Sequence, residues 1–193
     1  LGPGHPDTLT SMNNLSLTLK DIGDYIGSKS IQEHCLYLRK KHLGSGHPHT
    51  IASMTNLAST LRSMNNHSGA MSLEEKAWTL MKDSFGFEHP QTLKCMSNLA
   101  TTLCDMGNHV RAKNLQEQAL NLMKEHLGSE HPDTLAGMNN LASTLEVMGD
   151  QASARNLQEQ CLKLMEKYFG VEHPSTITSM ENLLTTLMKM EDW

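Results

Sequence analysis

The chain has 193 residues, a net charge of -5 and only 4% aromatic residues against 14 Met. Lys and Arg are interleaved with Asp and Glu, so there is no basic stripe or aromatic platform of the kind nucleic acid requires, and no apolar run approaches membrane-spanning length. A core has to be built from Leu, Met and Ala, a thin but adaptable set.

One phrase organises the chain. His-Pro stands at His5-Pro6, His47-Pro48, His89-Pro90, His131-Pro132 and His173-Pro174, every interval being 42 residues. A fixed period of this length marks a repeat architecture. Aligned on that period, every copy has Thr two places after Pro, Met at 12, 54, 96, 138 and 180, and an Asn-Leu pair at 14, 56, 98, 140 and 182.

In chain order, the first copy predicts two helices. Pro6 suits a first helical turn, where its missing N–H costs nothing, and Asp7 puts negative charge at the positive end of the helix dipole. Helix A is expected from about Pro6 to Ile22, with Leu9, Met12, Leu15, Ser16, Leu19 and Ile22 on one face and Thr10, Asn14, Leu17 and Asp21 on the other. Gly23-Asp24 breaks it, as Gly107-Asn108 and Gly149-Asp150 do later, with Asn65-Asn66 standing in for the same turn in the second copy. Helix B is expected from about Tyr25 to His42, burying Ser28, Ile31, Cys35, Leu36 and Leu38, before Leu43-Gly44 ends it. Such a pair cannot bury its apolar faces alone, so neighbouring copies must stack. The repeats are expected at about 5–46, 47–88, 89–130 and 131–172, with a half repeat over 173–193, in one solenoid spanning the chain. In that half repeat Leu184 replaces the small residues Ser16, Ala58, Ala100 and Ala142, which predicts a capping helix shielded by Leu184 and Trp193.

Met12, Leu15, Ser16, Leu19, Gly23, Tyr25, Ser28 and Cys35 fall at the spacing of the tetratricopeptide signature, and Ala58, Ala70, Ala77, Ala100, Ala112, Ala119, Ala142 and Ala154 keep its small positions in later copies. Where that family carries the Pro that stops helix B, this chain has Lys40, Lys82, Lys124 and Glu166, which lets the helix run about two turns longer and accounts for the period. The long repeat resembles the kinesin light chain branch of tetratricopeptide arrays. HEAT and armadillo repeats share the period without the small-residue signature. The resemblance implies an all-α fold, a right-handed α-solenoid of antiparallel helix pairs, and a non-catalytic scaffold that binds a protein or peptide segment in a concave groove lined by helices A.

The Asn column is the sharpest candidate site, because core packing does not require Asn14, Asn56, Asn98, Asn140 and Asn182, and mid-helix Asn is unfavourable. Each has a donor and an acceptor able to hold a peptide backbone. Lys94, one turn earlier, and Thr101 and Ser143, one turn later, complete the expected groove. The alternative role for these Asn is bonding between repeats. A lone Lys94 lacks the multidentate geometry needed to clamp a terminal carboxylate.

The 11 His do not suggest a metal: His42, His47 and His49 crowd one loop without an acidic or Cys partner at ligand spacing. The four Cys form no CxxC pair, and Cys35 and Cys161 stand where other copies have Ala77 and Ala119. They read as small core residues in a reducing, cytoplasmic setting. Cys104 has no His in its column to activate it. With no phosphate-binding Gly loop, no His-Glu-x-x-His and no converging acid/base pair, neither catalysis nor a cofactor is expected. The function rival to peptide binding is a sensor segment of a larger nucleotide-switch ATPase; self-association through the open ends of the stack is a third reading.

Overall fold

A computed structural model describes residues 2–191, Glu191 by its backbone only. Among the described residues the chain is all helix: α1 (Pro6–Asp21), α2 (Tyr25–Leu43), α3 (Pro48–Ser63), α4 (His67–Phe85), α5 (Pro90–Asp105), α6 (His109–His126), α7 (Pro132–Val147), α8 (Gln151–Phe169) and α9 (Pro174–Glu191). Odd-numbered helices are the A helices and even-numbered ones the B helices.

The repeated joint is a cap. The residue before Pro is held in extended backbone, and His5 adopts φ -67 and ψ 138 accordingly. Its Nδ1 then accepts the backbone N–H of Asp7, and the rings of His47, His89, His131 and His173 accept those of His49, Gln91, Asp133 and Ser175, all at 3.1 to 3.2 Å. One of the orphan donors of each A helix is thereby satisfied, and the imidazole has to be neutral at Nδ1 to do it. The turn between A and B needs a left-handed residue, supplied by Gly23 at φ +86 and, in the second copy, by Asn65 at φ +59. Asp24, Asn66, Asn108 and Asp150 follow and cap the B helices through their side-chain oxygens.

The chain comprises two compact units, the first ending at Thr102 and the second beginning at Leu103, within α5. In the first, α1 packs on α2, α2 on α3 and α3 on α4; in the second, α6 packs on α7, α7 on α8 and α8 on α9. Within each unit these helices lie against the next in sequence, which is the packing of an α-solenoid. The core of the first unit includes Leu36, Ile51, Met54, Leu57 and Met81, and that of the second Leu120, Leu135, Met138, Leu141 and Met165. Fully buried Ala58 and Ala70 in one unit, and Ala142 and Ala154 in the other, let A and B helices approach closely. In the first copy Ser16 and Ser28 occupy those places, and Ser28 Oγ donates to the Ser16 carbonyl at 2.7 Å.

The B helices end at Leu43, Phe85, His126 and Phe169, within a turn of Lys40, Lys82, Lys124 and Glu166, so the expected two further turns are not formed; Met81, Met123 and Met165, just before that point, are buried. Arg39 stands in the same column in the first copy, with its guanidinium buried and donating to the His49 carbonyl at 2.9 Å and to Ser53 Oγ at 2.7 Å.

The sequence pattern puts Leu15, Leu57, Leu99, Leu141 and Leu183 in one column expected to be buried throughout, and that expectation needs correction at both ends. Leu57, Leu99 and Leu141 are buried, but Leu15 is 52% exposed and Leu183 only half-buried. Burial of this column depends on a neighbouring helix lying over it, and no described helix precedes α1 or follows α9. Ile31 is likewise half-buried, its expected depth taken by Gln32. Leu184 is 58% exposed, with no described helix covering it; Trp193 lies outside the described residues. No helix among the described residues is long and apolar enough to cross a membrane.

Candidate functional site

In each unit, successive A helices leave a groove floored by the B helix between them. In the first unit α3 and α5 flank a hollow of about 450 Å³ whose wall includes Ala52, Thr55, Asn56, Lys94, Cys95 and Asn98, with Met81 of α4 beneath. In the second unit α7 and α9 flank one of about 470 Å³, bounded by Pro132, Ala136, Asn139, His173 and Thr178, with Met165 of α8 beneath. The two occupy equivalent places in the repeat, and both are mainly apolar with amide and hydroxyl groups at the edge. The floor is the buried Met column of the B helices.

Farther along the α7–α9 groove lies a smaller, polar hollow of about 160 Å³ formed by Asn139, Ser143, Glu146, Gln158, Asn182 and Thr185. Glu146 Oε1 accepts from Gln158 Nε2 at 2.8 Å, and its Oε2 accepts from Lys189 Nζ at 3.0 Å.

The expected site residues are therefore brought together in part. Asn56, Lys94 and Asn98 share one hollow, and Ser143 and Asn182 share another. Asn14 and Asn140 are exposed on their helices. The Asn140 backbone carbonyl accepts from Gln116 Nε2 at 3.4 Å and from Thr144 Oγ1 at 3.1 Å, so its neighbours bind the main chain and leave the amide to solvent. Thr101 turns its hydroxyl onto the Ser97 carbonyl at 3.0 Å. Asn56 Nδ2 donates to Asn13 Oδ1 at 2.8 Å, which makes this member of the column a tie between α1 and α3 as well as a wall of the hollow.

Two sets of residues escaped the reading of the sequence. Asn13 and Asn139 precede the Asn column by one position and reach the neighbouring A helix or the groove. Gln32, Glu74, Gln116 and Gln158 form a second column at the same 42-residue period, all buried, on the B helices. That recurrence of an amide or carboxyl side chain was available in the same self-alignment.

Cys95, in the wall of the first hollow, has its thiol pushed up to about 11 by burial and by the nearby negative charge of Glu74, against the opposing charge of Lys94. It is thus a neutral thiol near pH 7 and no nucleophile. Cys104, in the second unit, has its sulfur 3.2 Å from Thr144 Oγ1 and 4.0 Å from Gln116 Nε2. Neither neighbour is a base. Among the described residues no three His, Cys, Asp or Glu side chains are grouped to hold a metal ion.

Models of the tetratricopeptide repeat match residues 8–49 and 50–91, and also 91–167 and 133–193. No curated protein matches the chain. Two crystal structures of a kinesin light chain candidate from Podosopora anserina, with nearly identical TPR-like repeats, superpose with TM-scores of 0.84 and 0.83 at 27% identity, over 97% of this chain and 89% of theirs. BtubC (BKLC) from P. vanneervenii gives 0.82 at 18% identity over 96% of this chain and 74% of its own. The apo form of RapI gives 0.76 at 13% identity over 96% of this chain and 65% of its own, a likeness of fold alone. The His-Pro joints, the small-residue columns, the stacked helix pairs and these matches together establish that the chain belongs to the tetratricopeptide repeat family, in its kinesin light chain-like form, as a protein-interaction scaffold.

Proposed function

We propose that the array holds a segment of a partner protein in the grooves between successive A helices, with apolar side chains seated over the Met floors and the Asn column bonding the segment's backbone. The observation that carries this reading is the recurrence of the hollow. Two cavities of about 450 and 470 Å³ stand at the same place in two units, each large enough for one or two apolar side chains and each edged by hydrogen-bonding groups. Within each unit a main chain crossing successive A helices would meet an amide at each copy, and amides provide both donor and acceptor.

The test is a double substitution, Asn98→Ala with Asn140→Ala, in the 193-residue chain. Peptides selected on the unaltered chain from a random library would be titrated against both proteins by calorimetry. Each lost bond is worth about 0.5 to 1.5 kcal/mol, so affinity should fall roughly 5-fold to 100-fold. Melting temperature should hold or rise slightly, because Ala is the better helix former. A lower melting temperature with unchanged affinity would instead make the column a seam between repeats, the role Asn56 already has toward Asn13.

A further inference from the structure

The first copy breaks the Met column. Where α4, α6 and α8 bury Met81, Met123 and Met165, α2 buries Arg39, which is 7% exposed. Its Nη1 makes both of the bonds to α3, with the His49 carbonyl and with Ser53 Oγ. Nε and Nη2 have no hydrogen-bond partner among the described residues, yet neither is sealed from solvent. No carboxylate among the described residues pairs with this guanidinium, which stays ionised at any pH the folded chain meets. A buried charge without a counter-charge is costly, and three copies close the same place with Met, so the cation is not needed to fill the core.

That place is the floor of a groove. Met81 lies beneath the α3–α5 hollow and Met165 beneath the α7–α9 one, and Arg39 holds the same station beneath α1 and α3, inside the first unit. The two helices are tied across this groove by Asn56 and Asn13 at 2.8 Å and by Lys20 Nζ, which donates to Ser59 Oγ at 2.6 Å. Asp7, at the start of α1, is exposed and stands 3.6 Å from Nδ1 of its own His5 cap. It does not neutralise Arg39.

We propose that the α1–α3 groove is a receptor for the side-chain carboxylate of an aspartate or glutamate in the bound partner segment, with Arg39 as its ligand. The inference rests on the groove reading above, and it makes this groove select an acid where the Met-floored ones take apolar side chains. Nε and Nη2 form one edge of the planar guanidinium, and their N–H bonds on that edge run parallel, at the spacing that the two oxygens of a carboxylate accept. The bonds from Nη1 to α3 are left in place and hold that edge in position before a ligand arrives. One carboxylate brings the single negative charge that the site lacks, whereas a phosphate dianion brings more than one guanidinium neutralises. A side-chain amide offers one oxygen and no charge, so asparagine and glutamine fit less well.

The probes are the N-acetyl N-methylamides of glutamate and aspartate, titrated into the whole chain while the Arg39 Nε–H resonance is followed by NMR. The glutamine and asparagine analogues keep the shape without the charge; N-acetyl-alanine offers a chain-end carboxylate, and inorganic phosphate a phosphoryl group. A saturable shift with an acidic compound, about 5-fold or more tighter than with its amide, N-acetyl-alanine or phosphate, is expected. In a second arm, peptides selected on the unaltered chain have each Asp or Glu changed to Asn or Gln. At one position this should weaken binding to the unaltered chain about 10-fold or more, and to the Arg39→Met protein less than about 2-fold. Met is the residue of the other copies, and loss of a buried charge should leave the melting temperature unchanged or raised, so the variant reports binding. The NMR arm uses no variant and stands even if Arg39→Met folds poorly. No saturable shift, equal binding of the amides, tighter binding of N-acetyl-alanine or phosphate, or an acid-to-amide cost that is the same in both proteins would overturn the proposal. Selected peptides that lose affinity in the Asn98/Asn140 double variant but contain no acid to which Arg39→Met matters would overturn it while leaving the groove reading intact. An acidic probe that binds as described in a chain whose selected peptides ignore the Asn substitutions would do the opposite.

Discussion

Leu99→Ala is expected to destabilise the array by about 2 to 5 kcal/mol, the range for truncating a buried Leu. Leu99 is 1% exposed on α5 and is followed by fully buried Ala100, so the space left by its lost methyl groups has little means of closing. Leu15 provides an internal control. It belongs to the same sequence column but lies 52% exposed on α1, and its replacement by Ala should cost less than about 1 kcal/mol. Urea unfolding followed by circular dichroism at 222 nm measures both. A Leu99→Ala loss below about 0.5 kcal/mol, or equal losses at the two positions, would mean that the core face is wrongly assigned.

The second large effect should appear at high pH. Cys95 and Cys161 have thiols pushed up to about 11 from an ordinary 9.0, in both cases chiefly by burial. Their folded-state values lie above the unfolded ones, so above pH 9 the unfolded chain releases protons that the folded chain retains. Stability is therefore complete below about pH 9 and falls as the pH climbs toward 11. Discounted for partial solvent screening, the loss between pH 8 and pH 10.5 should be about 1 to 2 kcal/mol per thiol. The repeat itself offers the control, since Ser53 and Ala77 occupy the equivalent positions elsewhere. The Cys95→Ser, Cys161→Ala protein should lose most of this slope in urea titrations at the two pH values; an unchanged slope would assign it to other groups.

These two cases also show what periodicity reveals and what it conceals. Helix ends were legible because their chemistry is local: a His-Pro joint caps the helix it precedes, and Asn65 can stand in for Gly23 since both tolerate a left-handed backbone. The small Ala columns were legible because only a close helix approach explains them. The exposure of Leu15 was not, since its column is identical to that of Leu57 and only the presence of a covering helix separates the two. Within the candidate groove, the period places Asn56 in a column but does not show that Asn13 is near enough to bind it. The polar hollow was hidden for a related reason. Gln158 recurs visibly with Gln32 and Gln116, all three with an unpaired amide oxygen, but its bond to Glu146 rests on a residue that follows no pattern. Repetition displays what the copies share; the chemistry that distinguishes one copy has to be found in three dimensions.

Within each unit helices pack against their neighbours in sequence, and each A helix begins at the same imidazole cap. The unit of change in such a chain is then a whole period. A genetic exchange between two copies that removed or duplicated 42 residues would rejoin one His-Pro cap to the next without altering any turn, whereas a gain or loss of a few residues within a helix would rotate every later face out of register. The gene is thereby open to lengthening and shortening by recombination in steps that preserve the fold, and each added copy brings another groove whose side chains are free to diverge as those around Glu146 have done.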